Sequence, residues 1–270
     1  MSLDVLLQPR NAALDPARVL EQSAARRHYR PPVIDGNAWR VTYDNADTGA
    51  HWLLAWEGDA LSASLDYVRP TFFAVEAIEE LTALAHALDL APTLGGTPLD
   101  TASLLRAWTD GNAVAIEALR RHGQLPPYMP PDRAHAWWVY TLARPNLARQ
   151  LHDSAFVPSA TLVSGGDSTT VERLVTWPDA IACVLPPCEH LVLLRSHDGS
   201  GAPPFDARLA AHDDVVVALD DLLVRAASVA GLRLLPATQS AAAAERLASL
   251  RTEPMHRFDT VRPDGFVDVR

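Results

Sequence analysis

Lysine is absent from this chain of 270 residues, so all 23 basic side chains are arginines. This absence excludes chemistry that needs a lysine amine, such as Schiff-base formation or the phosphate-binding lysine of P-loop proteins. Cysteine is scarce, and two residues are too few for a disulfide-stapled secreted scaffold. No run approaches the ~20 apolar residues of a membrane span, and the N-terminus lacks the features of a signal peptide. We therefore expect a cytoplasmic protein with no membrane segment.

Signature motifs of the common enzyme classes are also missing. There is no G-x-S-x-G nucleophile elbow, and neither cysteine lies in a known catalytic pattern. Gly95-Gly96 lacks the G-x-G-x-x-G spacing of a dinucleotide-binding loop. We therefore expect no catalytic residues and no cofactor.

Charge is the first positive indication of a partner. The 33 acidic residues outnumber the 23 basic ones, which gives a net charge of −10. Such a surface repels nucleic-acid phosphates and attracts a basic protein. The sequence therefore predicts another protein as the partner, with no nucleic acid and no membrane.

Alternating apolar residues in the first half predict three strands, at Ala38–Tyr43, Ala50–Trp56 and Ala60–Val68. Short polar loops with glycine join them as hairpins. A helix follows, capped by Thr71, with Glu76, Glu79 and Glu80 on the side opposite its apolar stripe.

The second half repeats this order. A helix from Ala134 is interrupted by Pro145, strands follow at Val157–Val163, Val171–Trp177 and His190–Arg195, and a long helix is predicted over Ala211–Val229. The pattern predicts an α+β fold with helices packed on one face of an antiparallel sheet. Two α-β-β-β-α units in tandem and two unrelated halves both fit this order.

Composition shifts suggest four segments. Residues 1–92 and 134–250 form the two α+β halves, and 93–133 form a helical and proline-rich connector. Residues 251–270 are expected to be a loose C-terminal tail.

The run DNADTG at 44–49 has two interpretations. It could hold a cation, but its carboxylates lack the alternate spacing of a Ca²⁺ loop and no glutamate falls at the twelfth position. Asn, Asp and Gly are also typical of a hairpin loop, which is the interpretation we favour.

The tryptophans carry the most specific functional hypothesis. Trp52 and Trp56 are four residues apart in one strand, so both point to the same sheet face. If that face is covered by helices, they belong to the core. If it is open, they form an aromatic patch whose acidic rim consists of Asp44, Asp47, Asp59 and Asp66. These six residues are the predicted protein-binding site.

A second cluster contains Cys183, Cys188, Glu189, His190 and His197. Its spacing does not match the paired ligands of a structural zinc site, and buried free cysteines are common, so we expect no metal. A hydrolase or metal-dependent enzyme that uses His190, Glu189 or the Asp44/Asp47 loop is the alternative hypothesis.

Four segments carry a family resemblance. They are the DNADTG turn at Asp44–Gly49, the Y-x-R-P-x-F-F pattern at Tyr67–Phe73, FVP at Phe156–Pro158, and Trp177–Pro186. Together they resemble a family of uncharacterised bacterial proteins that offers no catalytic residues to transfer. Its members look similar to accessory or immunity proteins encoded near interbacterial toxins and secretion systems, type VI secretion among them.

The functional hypothesis is therefore a non-enzymatic protein-binding module, such as a cytoplasmic antidote to a toxin domain. The enzyme named above and a secretion-system accessory protein or chaperone are the alternatives.

Overall fold

The computed structural model describes residues 1–11, 13–166, 168–196, 205–225, 232–255 and 257–269. The chain forms two compact units, Met1–Pro131 with Arg262–Arg270, and Asp132–Val261. Two parts of the sequence-based predictions, His197 and residues 226–229 at the end of the helix predicted over Ala211–Val229, lie outside the described residues. No helix in the described part of the chain is both long and apolar enough to cross a bilayer.

The first unit is a seven-stranded, fully antiparallel sheet with three helices, and its strand order is β2-β3-β4-β5-β1-β6-β7. Its elements are β1 (Ser2–Pro9), α1 (Pro16–Ala24), β2 (Val33–Asp35), β3 (Ala38–Asn45), β4 (Ala50–Glu57), β5 (Ala60–Asp66), α2 (Thr71–Ala87), β6 (Leu90–Leu94), β7 (Thr97–Pro98) and α3 (Thr101–Arg121). The predicted strands and hairpins of the first half, and the α+β class, are confirmed.

The second unit has a six-stranded sheet of order β15-β12-β11-β9-β8-β16 and a small sheet of order β10-β14-β13. Its elements are α4 (Pro131–Leu151), β8 (Ala160–Gly165), β9 (Glu172–Pro178), β10 (Cys183–Leu185), β11 (His190–Ser196), β12 (Phe205–Ala211), α5 (His212–Ala218), β13 (Val224–Arg225), β14 (Arg233–Leu235), α6 (Ser240–Ser249), β15 (Glu253–Pro254) and β16 (Phe258–Thr260). The order of helix, strands and helix recurs in both units, but the sheets differ in topology.

Three features of the second unit differ from the sequence prediction. Helix α4 runs through Pro145 as one helix and is not interrupted there. Strand β11 runs parallel to β9, because β10 leaves the main sheet between them to pair with β14. The helix predicted over Ala211–Val229 ends at Ala218, and Leu222 and Leu223 are buried beyond its end. Apolar spacing alone does not distinguish a long helix from a short helix followed by a buried turn.

Helix α2 covers the core face of the first sheet, and one of its predicted solvent-facing residues is buried. Glu76 accepts hydrogen bonds from the Tyr43 hydroxyl at 3.0 Å and from Asn45 Nδ2 at 2.6 Å. Burial, followed by the charge of Glu76, raises the pKa of Tyr43. A buried carboxylate is stable here because polar side chains of β3 solvate it in place of water.

The C-terminal segment, residues 262–269, is an integral part of the first unit, and β15 and β16 before it belong to the second. This corrects the prediction of a loose tail over residues 251–270. Phe266 and Val267 are buried, and the backbone of Val267 exchanges hydrogen bonds with Pro127 and Met129. Asp268 accepts hydrogen bonds from the backbone N–H and the hydroxyl of Thr71, both at 2.9 Å. The cap of α2 is therefore Asp268 and not the Thr71 side chain, because a carboxylate at a helix N-terminus satisfies its free N–H groups.

Asp268 is expected to make stability depend on pH. Burial raises its pKa above the ordinary value, although the hydrogen bonds from Thr71 oppose this rise. The folded state therefore binds the proton more tightly than the unfolded state. The resulting stabilisation is complete below the unfolded pKa of about 3.9 and is lost as the pH rises through the folded pKa.

We expect Asp268→Asn, which keeps a carbonyl oxygen near Thr71 but cannot ionise, to remove this dependence. In urea unfolding followed from pH 4 upward, the stability of the wild type should fall relative to the variant. Asp59→Asn, at an exposed hairpin position, is the matched control. A wild type whose stability stays constant or rises with pH relative to Asp268→Asn would contradict the assignment.

Candidate protein-binding site

The first sheet has a second face, opposite the one on which α2 packs, and at one end of this face the ring of His51 meets Phe73 of α2 edge-to-face at a centroid distance of 5.3 Å. Strand alternation places three rows of side chains across it, each row set by the register of neighbouring strands. The rows are Asp44–His51–Asp66–Ser2, Thr42–Leu53–Ser64–Asp4 and Arg40–Ala55–Ser62–Leu6. We call these twelve residues the open face. Its middle carries short side chains, and Leu6 is 43% exposed.

Two of the six predicted site residues, Asp44 and Asp66, lie in one row of the open face, with His51 between them. Asp4 stands on the same face and was not predicted, although its alternation with the core residues Leu3 and Val5 is visible in the sequence. The structure therefore brings three carboxylates to this surface.

The tryptophans do not belong to this surface. Trp52 and Trp56 point to the other face, where they are 1% and 8% exposed. Trp52 stacks on Tyr43 at a ring-centroid distance of 6.0 Å and meets Tyr29 edge-to-face at 5.8 Å. The hypothesis of an exposed aromatic patch is wrong for these two residues, because the face they share is the one that α2 packs on.

The remaining predicted residues, Asp47 and Asp59, are exposed but lie at opposite ends of β4. Asp47 is in the loop between β3 and β4, and Asp59 is in the two-residue turn between β4 and β5. At about 3.3 Å per residue, a strand of this length separates its ends by roughly 25 Å. The six predicted residues therefore do not form one patch.

The DNADTG run is a hairpin loop, as its composition indicates. The backbone N–H of Asp47 bonds to Asn45 Oδ1 at 3.2 Å, and Gly49 has φ +73°. A Cβ on Gly49 would lie 2.9 Å from Pro263 Cβ, so glycine is required both by its dihedral angle and by the packed C-terminal segment. Within the described residues, no group of three or more His, Cys, Asp or Glu is placed to hold a metal ion.

Arginines neutralise much of the acidic charge on the open face. Arg30 binds Asp44 through two nitrogens at 2.8 and 3.1 Å. Asp66 lies 3.3 Å from both Arg69 and His51 Nε2. The local field is therefore weaker than the net charge of the chain implies, and electrostatic steering by Asp44 and Asp66 should be modest. Sequence spacing gave no signal for the Arg30 pair, which depends on the pairing of Tyr29 with Tyr43.

The described residues of the second predicted cluster, Cys183, Cys188, Glu189 and His190, lie in three different environments. Cys183 and Cys188 are buried free thiols, and burial raises the pKa of Cys183 and that of Cys188, the latter to about 12. Such thiols are poor nucleophiles and poor metal ligands at neutral pH.

Glu189 is held in a buried ion pair. Arg173 donates to its two oxygens at 2.6 and 3.1 Å from the side chain and at 2.7 Å from the backbone. Burial would raise the pKa of Glu189, but the hydrogen bonds and charge of Arg173 outweigh burial and lower it. We therefore assign Glu189 a structural role, because a carboxylate held by several hydrogen bonds is poorly suited to proton transfer.

Among the described members of this cluster, His190 is the one whose side chain lines a pocket beside a carboxylate. Its Nε2 lies 3.0 Å from Glu172 Oε2, and the residue lines a pocket of about 360 Å³ with Asp214, Arg251 and Glu253. A carboxylate that orients an imidazole is a recurring arrangement of general bases. Among the described residues lining this pocket there is no Ser, Thr or Cys to serve as a nucleophile.

Comparisons with known proteins add no assignment, since no family model, curated protein or solved structure matches this chain.

Proposed function

We propose that this chain is a non-enzymatic protein-binding module and that the open face of the first unit contacts the partner. The observation that supports this proposal is the composition of that face. Its central rows carry serine, threonine and alanine beside Leu6 and Leu53, with charged residues at the margins. A centre of short side chains, in which serine alternates with apolar residues, surrounded by a charged rim fits the anatomy of protein interfaces.

The finer proposal is that the partner is a toxin domain and the chain its cytoplasmic antidote. It rests on the motif resemblance and on the net charge of −10, which favours a basic partner. An antidote needs only to cover the toxin's active site, and a stable interface buries about 1,600 Å² in total. A secretion-system accessory role rests on the same resemblance and would involve several partners.

An enzyme that uses the His190–Glu172 pair is the second candidate, favoured by the pocket beside His190. Separate variants can test the two proposals, because the open face lies in the first unit and His190 lies in the second.

The test is capture of partners from the host lysate with three forms of the chain. Wild type and Val114→Arg, at a 71% exposed position on α3, are expected to capture one stoichiometric protein. Ser64→Arg puts a long charged side chain into the middle of the open face and should weaken capture by at least about 30-fold. If the partner is a toxin encoded nearby, co-expression should restore growth with wild type and Val114→Arg but not with Ser64→Arg.

Equal capture by all three forms would exclude the open face as the interface. No stoichiometric partner, together with growth protection that His190→Ala abolishes, would instead favour the enzyme. Circular dichroism of Ser64→Arg controls for folding.

A further inference from the structure

A groove in the second unit lies between the main sheet and α6. One part, which we call the inner pocket, has a volume of about 240 Å³ and mainly apolar walls from Trp177, Ala180, Leu193, Ala244 and Leu247. The other part is a more polar pocket of about 250 Å³ that includes Asp206, Arg208 and Thr252. Leu193, Arg195 and Leu247 line both, so the two pockets are parts of one groove.

Arg195 stands where the apolar and polar parts meet. It alternates with Leu191 and Leu193 along β11, which turns its side chain toward α6. Its guanidinium forms no hydrogen bond or ion pair with any residue that the structure describes. By contrast, Arg208, the other arginine of the groove, lies 3.2 Å from Asp206. Arg195 is thus the uncompensated cation of the groove among the described residues.

Two carboxylates flank Arg195, and neither forms an ion pair with it. Asp206 lies opposite Arg195 in the pairing of β11 with β12 and is bound by Arg208. Asp179 Oδ1 accepts a hydrogen bond from the backbone N–H of Ser196 at 2.8 Å, whereas its Oδ2 is buried and has no hydrogen-bond partner among the described residues.

The wall at Asp179 is also strained. Asp179 and Ala180 have φ of +45° and +50°, which non-glycine residues rarely adopt in succession. Strain of this kind persists where the surrounding structure holds the backbone in place, so the wall of the inner pocket is fixed in position.

We propose that this groove binds a small carboxylate attached to an apolar group. The carboxylate pairs with the guanidinium of Arg195, whose parallel N–H groups match its two oxygens. The apolar group enters the inner pocket against Trp177 and Leu247. That pocket is smaller than typical drug-binding sites, which admits a short chain or a single ring. A free carboxylic acid and the C-terminal residue of a peptide share this chemistry.

The test is a binding titration by ligand-observed NMR with hexanoate, phenylacetate and an acetylated pentapeptide ending in leucine. We expect saturable binding of at least one acid. The matching amides, hexanamide or the peptide amide, should bind at least about tenfold more weakly, because they cannot form a charge-assisted pair.

Three variants complete the test. Arg195→Ala should weaken binding by about the same factor, and Ala244→Trp, at an exposed position of α6, should block the inner pocket. Arg251→Ala is the matched control, since Arg251 also forms no ion pair within the described residues and lines a different pocket. It should bind like wild type.

Binding of the free acids alone would identify a small-molecule site, and binding of the peptide alone a peptide-terminus site. The proposal is overturned if none of the acids binds saturably, or if Arg195→Ala binds as well as Arg251→Ala. The acid-binding proposal is independent of the proposed function, because the groove and the open face lie in different units. Ser64→Arg should therefore leave acid binding unchanged.

Discussion

Replacing Glu189 by Ala is expected to lower the free energy of unfolding of the second unit by about 3–5 kcal/mol. The reason is the arginine left behind. Arg173 is 6% exposed, and its guanidinium is bound by Glu189 and by the carbonyl of Arg133 at 3.3 Å. Without the carboxylate, a buried charge keeps only part of its hydrogen bonds, which is far more costly than losing an exposed pair.

Urea denaturation measures this loss, and two further variants identify its cause. Glu57→Ala removes a carboxylate whose pair with Arg40 is exposed on both sides, and it should cost less than about 1 kcal/mol. Arg173→Met combined with Glu189→Leu leaves no buried unpaired charge, because Arg133, which also lies 3.4 Å from Glu189, has a side chain that is 43% exposed. This double variant should be more stable than Glu189→Ala alone. A Glu189→Ala variant as stable as Glu57→Ala would show that the pair is not buried in solution.

The same pair predicts acid sensitivity of the second unit. Because the pKa of Glu189 is lowered on folding, its stabilisation is present above the unfolded pKa and is lost as the pH falls through the folded pKa. The difference in stability between wild type and Glu189→Ala should therefore shrink in acid.

Replacing Phe266 by Ala is expected to destabilise the first unit by about 3–5 kcal/mol. Phe266 is 1% exposed and packs on Phe72 of α2 at a ring-centroid distance of 6.0 Å. Truncation leaves a cavity under the N-terminus of α2, close to where Asp268 caps the helix. The contact joins the start of α2 to a segment nearly 200 residues later, so its loss should also loosen the C-terminal segment.

Thermal and urea unfolding of Phe266→Ala test this expectation, with Phe156→Ala as the matched control. Phe156 is 41% exposed, so its truncation should cost much less. If both variants lose similar stability, or if Phe266→Ala loses less than about 1 kcal/mol, the C-terminal segment is not part of the core.

Local signals were sufficient for much of the first unit. The hairpins β3–β4 and β4–β5 follow from alternation and from glycine-containing loops, and α2 follows from its apolar spacing. These features depend on residues close together in sequence. The second unit was less predictable, because the parallel pairing of β9 with β11 depends on β10 joining a different sheet.

Long-range partners account for the other differences. Thr71 has the composition of a helix cap, but Asp268 supplies the carboxylate. Glu76 has the composition of a surface residue, but Tyr43 and Asn45 accommodate it in the core. In each case the partner residue lies more than 25 residues away in the sequence. The periodic spacing of apolar residues carries no information about such distant contacts.

The candidate site shows the same limit. Alternation places Trp52 and Trp56 on one face, as predicted. The prediction grouped Asp44 and Asp66 with them in one site, whereas the strand register places these two carboxylates on the other face. Alternation does not indicate which of the two faces α2 covers. The arginines that neutralise Asp44 and Asp66 are likewise visible only once the strands and loops are assembled.

Hydroxyl-radical footprinting of the chain with and without its captured partner tests the central claim most directly. Leu6 and Leu53 on the open face should lose most of their oxidative labelling in the complex, while Val114 on α3, which is 71% exposed, should be labelled as before. Unchanged labelling of Leu6 and Leu53 in a saturated complex would contradict the proposal that the open face binds the partner.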